Sequence, residues 1–443
     1  MRFTLHNAVL VTARSVTRGS LTVDNGRIAA IRSEAEAFNA EPGTLIDLQG
    51  RLLFAGGIDA HVHFREPGLT HKADIASESR AALLGGYTAF IDMPNTLPPA
   101  TTPERLREKC TLAAGRSWCH YAFHRGAANG PGTEVPQPEE GISPALKVFL
   151  GSSTGDMLVD DPATLGGLFR LGDTPILIHS EDEGIIRANL AAARERYGDD
   201  IPVALHPLIR SREACIASTR RALDAALREG TRLHILHVST REEVEMIREA
   251  KKSSPRITAE TSVNYLWFSD RDYERLGTRL KCNPAVKTAL DRAALLEAVR
   301  DGTIDTIGSD HAPHLIEEKN RPYTLAPSGM PSIQEALPAL MTLAREQDIP
   351  LPRIASLISE KAAEIFRIAG RGHLAVGQAA DHTVIDPDSP WRVGTPAYKC
   401  GWTPYEGARF TARVTDVWLD GHHAVADGNI IGQPSGQPLS FNN

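Results

Sequence analysis

The sequence predicts an α/β fold: a (β/α)8 TIM-like barrel carrying a small β-sandwich domain built from both chain ends. Three observations lead there. Strand-like apolar runs alternate with helix-like stretches eight times through the middle, over about 320 residues, the repeat expected of a closed parallel barrel. The two ends of the chain have a different texture, rich in β-formers and two-residue turns. The polar residues that interrupt the apolar runs fall at one end of the predicted strands.

Residues 1–52 supply the first part of the small β domain. "FTLHNAVLVT", "GSLTVDNGRIAAI" and "TLIDLQGRLLF" read as short strands, with Asp24-Asn25-Gly26 as a hairpin signal. Residues 53–371 form the barrel, with strands expected at Leu53–His63, Tyr87–Met93, Trp118–His124, Ala145–Leu150, Pro175–Ser180, Arg232–Val238, Ile257–Glu260 and Ile304–Asp310. Helix-like stretches between them include "KADIASESRAALLGG", "REACIASTRRALDAALREG", "REEVEMIREAKK" and "DRAALLEAVRDG". Residues 372–443 return to β texture in "HTVIDPDS" and "FTARVTDVWLDGHHAVADGNII". Turns are expected at Asp420-Gly421 and Asp427-Gly428, with His422 and His423 in a turn. The two β-rich ends are expected to pair into one domain.

Bulk properties narrow the class. With 443 residues, 42% hydrophobic and 23% charged, the chain is that of a globular protein with a large core. A net charge of -7 gives no support to nucleic-acid binding. No apolar run approaches the roughly 20 residues that span a bilayer, and "MRFTLHNAVLVTARSV" lacks a signal-peptide core and cleavage site. The five cysteines show no C-x-x-C spacing, so a reducing cytoplasm is the expected location.

In a barrel of this kind, chemistry sits on the loops that follow the strands. His61 and His63 close strand one in "GGIDAHVHFREPG"; residues two apart on a strand share a face, an arrangement that suits a metal. Asn95 follows strand two in "DMPNT", and His179 ends strand five in "ILIHSEDE". His237 ends strand six in "LHILHVST", where alternation pairs it with Ile235 on the inward face and leaves His234 structural. Asp310 ends strand eight in "DTIGSDHAPH", with His311 and His314 just beyond. Singly, each histidine reads as a core imidazole and Asp310 as a helix cap. Their convergence on one rim favours ligation.

Lys147, inside "ALKVFL", is the residue least at home. Burying an ammonium is costly, and a barrel wall has no edge from which it could escape. A neutral amine that has taken up carbon dioxide resolves this, because the resulting carbamate is an anion able to bridge two metal ions. Arg65, two residues past His63, is placed to hold a substrate carboxylate by paired hydrogen bonds. His120 and His124 alternate along strand three, with His124 at most supporting a ligand, and His206 belongs to a loop leading into a helix.

These motifs, together with "ALKVFLGSSTG", "KCNPAVK" and "GHLAVGQAADHTVID", make the chain similar nearly end to end to the amidohydrolase superfamily. Within it, the chain resembles the dihydroorotases of the long-chain class I type. The resemblance implies two Zn2+ per subunit, bridged by carboxylated Lys147 and a hydroxide. His61, His63 and Asp310 would hold one ion, and His179 and His237 the other. It implies a catalytic proton-carrying role for Asp310. Substrate contacts would come from His63, Arg65, Asn95, Asn283, His314 and the backbone of Ser328 and Gly329. The implied reaction is the reversible cyclisation of N-carbamoyl-L-aspartate to L-dihydroorotate in pyrimidine biosynthesis, in a cytoplasmic homodimer with no nucleic-acid or membrane partner.

Two motifs depart from the family pattern. "TSVNYL" puts Asn264 and Tyr265 where many relatives have two histidines, and "KCNPAVK" replaces the commoner "NPPLR". Arg65 favours dihydroorotase over hydantoinase and allantoinase, whose rings carry no carboxylate. Pro313–Pro331, "PHLIEEKNRPYTLAPSGMP", is rich in Pro, Gly and charge and is expected to be a mobile loop over the site.

Overall fold

Eight parallel strands close a barrel in the expected order: Gly57–Val62, Tyr87–Asp92, His120–Phe123, Leu146–Phe149, Ile176–His179, Leu233–Ile235, Ile257–Ser262 and Thr306–Gly308, numbered one to eight below. The computed structural model describes residues 1–34, 43–129, 142–151 and 157–442. The Ser152–Gly155 end of the "ALKVFLGSSTG" motif lies outside the described residues. Strand three changes partner at His124: its first part pairs with strand two, and its continuation Arg125–Gly126 pairs with strand four. The seam between strands eight and one is closed by the buried Asp59 carboxylate, which accepts from the backbone N–H of Ser309 at 3.2 Å. Burial raises that carboxyl to about 7, against the pull of those backbone donors.

Side-chain alternation sorts the core. Ile58, Ala60, Ala89, Ile91, Ala122, Ala145, Leu177 and Leu236 form one inner cluster with Phe366, while Val62, Phe90, Phe123, Val148, Ile178 and Ile235 pack in another, on the helix side. Apolar burial of this extent, at roughly 25 cal/mol per Å2, is the main force holding the barrel together. Strict alternation from Ile58 and Ala60 would turn His61 outward. The pairing of strands one and two shifts register between Asp59 and Val62, and this irregularity returns His61 and His63 to the inside.

The small domain is a nine-stranded sheet. Leu52–Ala55 from the front of the chain pairs antiparallel with His382–Asp386 from the back. The sheet folds over its own core as a sandwich. Phe3 and Trp418 stack with ring centroids 6.4 Å apart, although two strands lie between theirs and a flat sheet would separate them by about 14 Å. Three two-residue hairpins occur where turns were expected, at Asn25-Gly26, Asp420-Gly421 and Asp427-Gly428, with both residues of each at positive φ.

Three expectations are corrected. The run Leu53–His63 is two strands, divided at Gly56, where the small sheet gives way to the barrel. A Cβ on Gly56 would lie 2.1 Å from Thr88 Oγ1, so only glycine lets the chain cross so close to strand two. His422 and His423 lie in a strand, because the Asp420-Gly421 turn uses two residues only. The His423 ring stacks on Trp418 at 4.2 Å. Beyond residue 372 the chain does more than complete the sheet. Trp391–Arg392 pairs with Arg409–Phe410, and the tail passes strand three, where Tyr121 N–H donates to Gln437 O at 3.0 Å and Leu439 N–H to Tyr121 O at 2.8 Å.

Candidate metal centre

Four imidazoles, one carboxylate and one lysine meet at the ends of strands one, four, five, six and eight. Asp310 Oδ1 stands 3.3 Å from His61 Nε2 and 3.2 Å from His63 Nε2. His179 Nδ1 lies 2.9 Å from His237 Nε2. The His237 ring joins the two groups, 5.3 Å from the His61 ring and 4.7 Å from that of His179. Lys147, 1% exposed, points into the same space with Nζ 4.5 Å from the centre of the Phe149 ring. Burial lowers its amine to about 7, which makes the neutral form accessible near neutrality.

The outward ring nitrogens are each engaged, except one. Glu260 Oε1 accepts from His61 Nδ1 at 2.6 Å, and Glu181 Oε2 from His179 Nε2 at 2.8 Å. Asn95 Oδ1 accepts from His63 Nδ1 at 2.8 Å. These bonds put the ring protons on the outside and leave lone pairs facing inward. His237 Nδ1 is buried without a partner. Against the burial that would lower it, Glu260 raises the pKa of His61. Burial holds His63 down to about 4 and pushes His237 well below the usual range.

Burial works to raise the Asp310 carboxyl, but His61 and His63 outweigh it and hold the group below its ordinary value. The same balance keeps Glu260 and Glu181 at about 2, the first by His61 and His234, the second by Arg210 and His179.

This donor set fits divalent metal. His61 Nε2, His63 Nε2 and Asp310 Oδ1 are acceptors gathered within 4.8 Å of one another, an arrangement unfavourable unless a cation sits among them. His120, Asp381 and Asp420 gather just as closely at the opposite end of the barrel. There the Arg371 guanidinium supplies the cation, pairing with both carboxylates.

The backbone bends to bring these groups inward. Arg65, His237 and Asp310 have φ of +67°, +39° and +48°, a region sparsely used by residues with side chains and often found at functional sites. Strand six shows why this matters. Ile235 faces the helices and His234 the interior, opposite to the assignment by alternation; His237 turns inward because the chain has left the strand after Ile235 and bends at His237 itself. His124 lies below, with Nε2 3.0 Å from Ala60 O. His206 begins a short helix and is buried, with Nε2 2.7 Å from Cys282 O.

The expected substrate contacts line the mouth above. The Arg65 guanidinium, 2% exposed, donates from Nε to Pro313 O at 3.0 Å and lies beside His314. Burial lowers it to about 10, so it stays charged at neutral pH. Asn95 is bound to His63 as described. Asn283 has a buried Oδ1 without a partner. Ser328 O lies 3.1 Å from His314 Nε2, and Gly329 N–H donates to Lys281 O at 2.9 Å. Asn264 and Tyr265 are structural: Tyr405 Oη pairs with Asn264 Oδ1 at 2.8 Å, and Tyr265 Oη donates to Pro284 O at 2.7 Å.

The segment expected to be mobile is pinned. Lys319, 0% exposed, donates to the carbonyls of Lys281, Pro327 and Gly329 at 2.9, 2.8 and 2.8 Å. Lys281 Nζ donates to Tyr323 O and Ala326 O at 2.8 and 2.6 Å. Charge that reads as loop polarity is turned inward onto backbone acceptors.

Sequence reasoning missed Glu260 and Glu181. Both carried a signal: Glu260 is an acid inside a buried strand, as conspicuous as Lys147, and Glu181 follows His179 by two residues.

Comparison with known proteins agrees with this architecture. The profile of the Amidohydrolase family matches residues 52–424. The dihydroorotase of Methanosarcina mazei is 32% identical over 416 residues, 91% of this chain and 90% of its own. The allantoinase of Streptomyces avermitilis is 30% identical over 448 residues, 98% of each. The solved L-hydantoinase (dihydropyrimidinase) of Arthrobacter aurescens superposes with a TM-score of 0.92 at 26% identity, covering 99% of both chains. Barrel, folded sheet and a rim of side chains suited to a metal thus accompany a match across most of the sequence, and the chain belongs to the amidohydrolase family.

Proposed function

We propose that this cyclic amide hydrolase is a dihydroorotase, interconverting N-carbamoyl-L-aspartate and L-dihydroorotate for pyrimidine biosynthesis. The observation that carries the reading is Arg65: a buried, charged guanidinium two residues past His63, at the mouth of the barrel. A ring bearing a carboxylate supplies the anion such a group needs. The uncharged rings of hydantoin and allantoin do not.

His61, His63 and Asp310 would hold one zinc ion and His179 and His237 a second, with carboxylated Lys147 between them. Bound there, zinc supplies Lewis acidity and a water nucleophile at neutral pH. Asp310, ionised and beside the two imidazoles at 3.3 and 3.2 Å, takes the proton of the attacking water and delivers it to the leaving ring nitrogen. Asn283 Oδ1, the acceptor without a partner, takes an N–H of the ring. Arg65 and His314 hold the carboxylate, and Asn95 keeps His63 oriented. Such positioning contributes several kcal/mol to lowering the barrier. In the biosynthetic direction the proton moves run in reverse. The reading includes a cytoplasmic homodimer and a barrel that begins after Gly56, with Leu52–Ala55 in the small domain, and ends at residue 371.

Assay of purified protein on L-dihydroorotate, hydantoin and allantoin tests this. Turnover of dihydroorotate above both others is expected. Hydrolysis of hydantoin or allantoin with none of dihydroorotate overturns it.

A further inference from the structure

His314 is a ring with one lone pair set between two cations. Lys72 Nζ lies 3.0 Å from its Nδ1, and Arg65 Nη2 lies 3.0 Å from its Nε2. Lysine and arginine only donate. A neutral imidazole can therefore accept from just one of them, and the surrounding groups decide which.

Lys72 Nζ also lies 3.0 Å from Glu318 Oε1, an acceptor that favours the charged ammonium. On the other side of the ring, Ser328 O is 3.1 Å from Nε2 and can only accept. Burial and the neighbouring Arg65 keep the ring neutral, well below the usual histidine range. With the proton on Nε2 and the lone pair on Nδ1, Lys72, Glu318 and Ser328 are all satisfied. The other tautomer satisfies Arg65 and turns its N–H toward the Lys72 ammonium at 3.0 Å, with the nearest Glu318 oxygen farther off at 3.7 Å.

The consequence falls on Arg65. Its Nη2–H and the His314 Nε2–H are then two donors 3.0 Å apart, and a carboxylate oxygen, displacing Ser328 O as the acceptor of the Nε2–H, is the group that both can share. Lys72 sits in the turn after strand one and Glu318 in the short helix after strand eight. Their ion pair thereby ties together the two loops that carry Arg65 and His314.

We propose that Lys72, held by Glu318, is a positioning residue: by occupying Nδ1 it keeps His314 an Nε2–H donor, so that His314 and Arg65 grip the substrate carboxylate together. The carboxylate's identity rests on the dihydroorotase reading; the ring proton does not.

The experiment joins 15N imidazole shifts of His314 in the ligand-free protein, assigned by their loss in His314→Gln, with steady-state kinetics on L-dihydroorotate for wild type, Lys72→Met and Lys72→Arg. The wild-type ring is expected as the Nε2–H tautomer. In Lys72→Met it shifts to Nδ1–H as Arg65 takes the Nε2 lone pair, and KM rises about tenfold, the equivalent of one lost hydrogen bond of 1.4 kcal/mol, while kcat changes by less than about threefold. Lys72→Arg, which still donates to Nδ1 and pairs with Glu318, restores both. An Nδ1–H tautomer or an imidazolium in the wild type overturns the proposal, as does a Lys72→Met protein with unchanged tautomer and KM. Should Lys72→Met fail to fold, the wild-type ring and the Lys72→Arg kinetics decide. Absence of dihydroorotate turnover by wild type sinks the functional reading instead, and the proposal then stands or falls on the ring proton.

Discussion

Glu260 Oε1 lies 2.6 Å from His61 Nδ1, with both side chains 1% exposed. A carboxylate behind a metal-binding imidazole fixes its tautomer and raises its basicity, and removing such a partner costs about 10–100-fold in metal affinity. Glu260→Gln keeps the shape and removes the charge. Metal content after dialysis against a chelator series should fall in that range, with activity restored by excess zinc. Affinity equal to wild type would show that Glu260 plays no part in tuning His61.

Lys147 bears on the second expectation. Burial brings its amine to about 7, so a fraction is neutral at physiological pH and able to take up carbon dioxide. In 13C-bicarbonate, wild type should show a carbamate carbon resonance that is missing from Lys147→Met. With the proposed bridge between two metal ions removed, the variant should lose activity by about a thousandfold or more. Normal rates in Lys147→Met would discard the carbamate.

Lys319 holds two carbonyls of the segment next to the mouth, Pro327 O and Gly329 O, and joins them to Lys281 O. Lys319→Met leaves them without their donor, at a cost of about 3 kcal/mol for buried acceptors of a charged group. A lower Tm and faster proteolysis between residues 313 and 331 are expected. An unchanged cleavage rate would return that segment to the class of free loops.

Glu335 gives a pH-dependent expectation away from the metal ligands. Burial raises its carboxyl from 4.5 to about 7, although the Tyr398 hydroxyl that donates to it works in the other direction. A raised folded-state pKa means stability fully present below pH 4.5 and lost as pH rises through 7, by about 3 kcal/mol once both states are ionised. Glu335→Gln should match wild type at pH 4.5 and unfold at higher denaturant at pH 8. Parallel curves at both pH values would contradict this.

The parts of the molecule that follow from local spacing were readable in the sequence. The three hairpin turns, the eightfold alternation and the residues His61, His63, Lys147, His179 and Asp310 at strand ends all depend on neighbours in the chain. His237 was picked for the wrong reason, since it turns inward by leaving the strand and not by alternation along it. Gly56 carried no strand-break signal of its own; its role depends on Thr88, which only folding brings within reach. Likewise Lys319 and Lys281 look like solvated charge until their carbonyl partners, many residues away, close around them. Apart from Glu181, two residues past His179, what was missed depends on contacts distant in sequence, for which periodicity has no reading.

A mechanical consequence follows from the crossing at Gly56. Sheet strand Leu52–Ala55 runs into the strand bearing His61 with a single residue between them, and from Ala55 to His61 the extended chain is only about 20 Å long. Only Gly56 on that path lies outside a strand, so a swing of the sheet would drag His61 and His63 with it. Gating of the mouth is left to the loops, and the sheet acts as a clamp on the barrel whose loosening is felt first at His61.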